Sequence, residues 1–131
     1  MSFSFNAFAQ NLSKHQWNDR LILIISTLQG NKKAVEQLLY LKNNQESLKE
    51  RKVFIYHIFN DGYCVNLSSE VKEPVTSLEV DEEFKVMLVG LDGSEKYSSH
   101  IPQKASVFFS IIDSMPMRID EIKRNKKEGN D

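Results

Sequence analysis

The chain has 131 residues, 40% of them hydrophobic and 27% charged, with a formal net charge of -1 at pH 7. That make-up fits one ordinary globular domain with a self-sufficient core, and its balanced charge gives no electrostatic case for binding nucleic acid or an anionic membrane. A single cysteine excludes an internal disulfide, and no apolar run approaches the roughly 20 residues needed to span a bilayer.

Residues 1–11 read as an N-terminal arm containing Phe3, Phe5 and Phe8. Ala7-Phe8-Ala9 has the small-x-small form of a signal-peptidase site, yet Met1–Ala9 lacks a basic start and a full apolar stretch. Two readings follow: a remnant export signal on a periplasmic or secreted protein, or a disordered arm on a cytoplasmic one. Residues 12–118 read as one domain, beginning with a helical lead-in over Leu12–Trp17. Leu21–Ser26 is continuously apolar up to its last residue, as expected of a strand covered on both faces. After Ser26-Thr27-Leu28-Gln29-Gly30, Asn31 is placed as the N-cap of a helix with an apolar stripe at Val35, Leu38, Leu39 and Leu41.

Val53–Phe59 carries apolar residues on both alternating faces and reads as a second interior strand, closed by a turn at Asn60-Asp61-Gly62. Gly62–Glu83 has no clear period and is open to a loop, a short helix or an extra edge strand. Phe84–Leu91 is the next strand, and Asp92-Gly93 marks a hairpin turn into Glu95–Ser98. Pro102 is placed at the start of a helix bearing Ala105, Phe108, Phe109 and Ile112, and Pro116 either stops it or begins another short one. Residues 119–131 read as a polar tail. The order is βαβ then ββα, an α/β arrangement of thioredoxin-like type: a central mixed sheet flanked by helices.

That order directs attention to the turn opening the first helix, where thioredoxins and peroxiredoxins keep their reactive thiol. Here Ser26 and Thr27 stand without a sequence-adjacent histidine to act as base, so strand-end bonding and capping are expected of them. Cys64, the only thiol, is placed beyond the second strand next to acidic residues, which offer no help in forming a thiolate. The helix start at Gly30-Asn31 is a weak candidate for binding a small anion, and Arg118 for a ligand. His15, His57 and His100 lack metal-ligand spacing, so neither a metal nor another cofactor is expected. Glu70, Glu73, Glu79 and Asp81–Glu83 lack the ligand order of a calcium loop. Asp113, near a helix C-terminus, and Arg118, near the next N-terminus, each oppose the local dipole. A structural clasp is expected of them, by mutual pairing or through Asp19 or Arg20.

The segment Phe84–Gly93, followed by Ile111–Arg118 and preceded by Trp17–Ile24, resembles an uncharacterised bacterial domain family. That family is related to the C-terminal domain of sushi-repeat-containing extracellular proteins, and Met115-Pro116-Met117-Arg118 is the most specific match. The resemblance implies a peroxiredoxin-like variant of the thioredoxin fold, often exported and without an established activity. This chain also has Asp81-Glu82-Glu83 before its third strand, where redox thioredoxins keep a cis-proline. The expectation is therefore a non-catalytic domain binding a protein or small-molecule partner. A single-cysteine thiol peroxidase or redox sensor using Cys64 is the alternative.

Overall fold

The computed structural model describes residues 12–60, 62–73 and 80–129. The N-terminal arm with Ala7-Phe8-Ala9, Asp61 of the turn, and residues 74–79 with Glu79 lie outside the described residues.

Strand β1 (Arg20–Ser26) is buried along its whole length. Successive side chains of a strand point to opposite faces, so a run apolar at nearly every position belongs in the middle of a sheet covered on both sides. It lies there: β1 pairs in parallel with β2 (Val53–Phe59) and antiparallel with β4 (Phe84–Val89). With the edge strands β3 (Gly62–Val65) and β5 (Glu95–Ser99), the order is β3-β2-β1-β4-β5. Between β1 and β2 the chain forms helices α1 (Lys32–Lys42) and α2 (Gln45–Glu50). After β5 come α3 (Ala105–Asp113) and α4 (Pro116–Gly129).

The sheet divides the core in two. Ile22, Ile24, Ile55, Val86 and Leu88 face Ala34 and Leu41 of α1, Leu48 of α2, and Phe108 and Ile112 of α3. Leu21, Leu23, Ile25, Tyr56, Ile58 and Met87 form the other face, joined by Leu12 and Val80. Asn31 caps α1 as the sequence suggests, its side chain accepting the Ala34 N–H at 3.0 Å.

The structure chooses among the alternatives open for residues 62–83 and moves two helix boundaries. Part of the illegible connection is an edge strand, β3, antiparallel to β2, so Cys64 sits in a strand opposite His57 and not in a loop. Helix α3 starts at Ala105, not Pro102. Buried Gln37 accepts the Gln103 N–H and donates to the Gln103 carbonyl, both at 2.8 Å, which holds Gln103 outside the helical ladder. Residues 119–129, read as tail, continue α4 from Pro116. The inner face of that helix is charged, so it gives no apolar period to read.

Candidate functional site

The carboxyl ends of β1 and β2 and the start of α1 meet at one edge of the sheet, the place where α/β folds gather ligands. Ser26, the last residue of β1, is fully buried. Its hydroxyl donates to the Leu28 carbonyl at 2.7 Å and stands 2.9 Å from His57 Nε2. With the single hydroxyl proton on Leu28, the imidazole must donate from Nε2 to the serine oxygen. The histidine is 31 residues away in sequence and reaches Ser26 only through the sheet. The parallel register sets His57 beside Ile24, within reach of the strand end. Burial lowers the His57 pKa to about 4, so the ring is neutral at pH 7. A neutral imidazole that donates to the hydroxyl is not withdrawing a proton from it, and the pair is built as a strand-end brace.

Cys64 is the cross-strand partner of His57, and both line a cavity of about 170 Å³ with Gln29, Leu38, Leu67 and Ser68. Burial pushes the thiol pKa up, and a weak bond from Gln29 Nε2 at 3.6 Å opposes that only in part. Gly30 lies in the exposed turn above, and the first turn of α1 carries Lys32 and Lys33. The turn thus precedes the positive end of a helix whose first turn carries two lysines.

The other notable charges lie at the opposite end of β1. Arg118 donates from Nε to Asp113 Oδ1 at 3.2 Å, from Nη1 to Glu121 Oε2 at 3.3 Å and from Nη2 to Glu50 Oε1 at 3.1 Å. Arg20 grips Glu121 through both terminal nitrogens at 3.1 and 3.3 Å, and Arg51 grips Asp113 at 2.9 and 3.0 Å. Asp113 and Arg118 are therefore paired, and Arg20 joins them through Glu121. Asp19 instead bonds His15 Nδ1 at 2.7 Å, while His15 Nε2 lies 2.6 Å from the Tyr56 hydroxyl. Pairing with Arg51, and secondarily Arg118, holds Asp113 below its ordinary range despite partial burial. Burial pushes Glu121 up, but Arg20 and Arg118 outweigh it and the net shift is down. Glu50, Arg51 and Glu121 escaped the sequence reading, because nothing in spacing joins residues so far apart.

Asp92-Gly93 makes the expected turn, with Gly93 at φ 83°. Ser94 donates to Asp92 from backbone and hydroxyl and Lys96 donates at 3.0 Å, lowering the carboxyl to about 2. Among the described residues no group of three His, Cys, Asp or Glu side chains is placed to hold a metal ion. Among them, too, no helix is long and apolar enough to cross a membrane.

These features define a mixed α/β domain, a five-stranded mixed sheet flanked by helices. From residue 11 to residue 121 the chain matches a family described as Domain of unknown function (DUF4174), and it belongs to that family. No curated protein and no solved structure matches the chain.

Proposed function

We propose that this protein is a non-catalytic, thioredoxin-like binding module whose thiol is structural. A β1–helix–β2 parallel unit followed by the antiparallel β4–β5 pair and a helix supports the thioredoxin-like assignment. The observation that carries the functional reading is the state of its nucleophiles. The Ser26 hydroxyl is committed to Leu28 and His57, and the only thiol is buried with a raised pKa. Thiol chemistry needs a thiolate, and among the described residues the hydrogen-bond donor at Cys64 is the neutral Gln29 amide.

The test is the alkylation rate of native Cys64 across pH, with the urea-unfolded chain as reference, alongside insulin reduction. Native reaction about 100-fold slower than unfolded, with no insulin turnover, is expected from burial and the raised pKa. Rapid labelling at neutral pH or measurable turnover would remove the reading.

One observation favours a second reading, that Cys64 and His57 share a cavity. A Cys64 thiolate would attack the peroxide O–O bond, take one oxygen as sulfenic acid and release water or alcohol. An external thiol would then reduce it. Peroxide consumption that disappears in Cys64→Ser would establish this alternative.

A further inference from the structure

We propose that the cleft between the β4–β5 turn and the start of α4 binds a small carboxylate carried on a compact apolar body. This goes beyond the thiol question, and the two stand or fall separately. The cavity measures about 190 Å³ and is lined by Arg20, Gly90, Leu91, Lys96, Met115 and Met117, with Asp92 and Pro116.

Three independent features converge on it. Arg20 is wholly buried, and its two terminal nitrogens are taken by Glu121 and the Arg51 carbonyl. Its Nε–H has no protein acceptor, the one buried side-chain nitrogen or oxygen so placed among the described residues. A buried charged donor left unpaired is costly, so such an atom marks where an acceptor belongs. The second feature is α4, whose 14 residues begin at Pro116 on the cavity wall. Pro116 has no N–H, so the free donors at this positive end begin at Met117, and the helix end favours an anion.

Gly90 is the third. A Cβ there would stand 2.6 Å from Lys96 Cε and 3.2 Å from Asp92 Oδ1. Glycine therefore lets the Lys96 chain lie across the strand, with its ammonium paired to Asp92 at the cavity rim. Asp92 is negative, but its carboxylate is already engaged by Ser94 and Lys96. Glu121 occupies the far edge of the Arg20 guanidinium, away from Nε. Leu91, Met115, Pro116 and Met117 supply apolar walls, which suit a carbon body and disfavour a bare polyanion. The volume is a little above the roughly 150 Å³ of an apolar cavity that holds benzene, so a benzoate-sized molecule fits. Arg20 Nε is itself buried, so on this proposal the bound acceptor reaches it by a shift of the cavity wall, in which Met117, 45% exposed and flexible, is the side chain freest to move.

Sodium benzoate is the probe, followed through methionine methyl resonances of the intact chain. Saturable shifts at Met115 and Met117, with a Kd on the order of 1 mM, are expected. Met87, on the other face of the sheet, should stay still. Because Arg20 is bound into the fold, the variants are made at the rim. Lys96→Met should weaken binding roughly threefold through loss of one partly exposed charge, and Met117→Trp should abolish it by filling the cleft. Absence of a saturable shift at Met115 and Met117, or an unchanged affinity in Met117→Trp, would overturn the site. Equal binding of uncharged benzyl alcohol would overturn the carboxylate class, as would equal displacement of benzoate by inorganic sulfate.

Discussion

Replacing Arg118 by alanine tests how the C-terminal helix is held to the sheet. The side chain is 2% exposed and joins three carboxylates: Asp113, Glu121 and Glu50. Removing one partner of a buried pair costs about 3–5 kcal/mol when the remaining charge is stranded. Here the stranding is incomplete. Glu121 keeps Arg20, Asp113 keeps Arg51, and Glu50 is 60% exposed and reaches water. A cost of about 2–4 kcal/mol follows, toward the lower side of that range. Unfolding entropy of about 2.1 cal/mol/K per residue gives roughly 0.28 kcal/mol/K for this chain, so Tm should fall by about 7–14 °C.

Differential scanning calorimetry at pH 7 and low salt reads this directly. Arg118→Met, which keeps most of the stem, separates charge from packing. Adding Glu121→Gln to it should cost further stability, because it strands the buried Arg20 guanidinium. The pH dependence has a defined sign. Asp113 and Glu121 both titrate below their unfolded values of about 3.9 and 4.3. Their contribution is present above those values and is lost as pH falls through the lower folded ones. The wild type should therefore weaken steeply below about pH 4, and Arg118→Ala less steeply. A Tm within about 2 °C of wild type would show that these pairs behave like solvated surface charges and would refute the clasp.

Two further outcomes concern single positions. His57 titrates near 4 in the native state, against about 6.5 unfolded, so the unfolded chain binds the extra proton between those values. Stability should fall by roughly 2 kcal/mol from pH 7 to pH 5, and His57→Phe should flatten that slope in urea titrations. A flat wild-type profile would contradict the assignment. Lys52 is exposed and sits at φ 55°, a conformation that costs a side-chain-bearing residue about 1–2 kcal/mol. Lys52→Gly should raise Tm by about 2–3 °C after the entropy of glycine is subtracted, while Lys52→Ala should give no increase.

The central elements were readable because their burial is apolar and local. Leu21–Ser26 and Val53–Phe59 announce two-faced strands, and Asn31 and Asp92-Gly93 announce a cap and a turn through their own chemistry. What escaped was burial achieved by polar pairing across distance. The inner face of α4 is Arg118 and Glu121, which in sequence look like surface, and their partners Glu50 and Arg20 lie 68 and 101 residues away. The Ser26–His57 brace depends on strand register, which a sequence states only after the pairing is known. β3 is short and half-buried, so four residues could not declare themselves within a polar connection.

The turn before α1 is followed by two lysines in the first turn of that helix, and one substitution tests whether that edge favours an anion. Gly30 is exposed, and a Cβ built there meets nothing within 4 Å, so Gly30→Cys adds a side chain without a clash. The new thiol would stand before α1 with Lys32 and Lys33 close by in the first turn. A helix start contributes about 0.3–1 kcal/mol to a nearby anion, and adjacent ammonium groups add to it. From an ordinary value near 8.5 the thiol should titrate at about 7.5–8. Measured by alkylation in a Cys64→Ser background, it should lie below the value for native Cys64, which burial drives the other way. A Gly30→Cys thiol titrating at or above 8.5 would mean that the edge lacks a usable positive field. A lowered value would show a positive field at the turn, available to an anionic group.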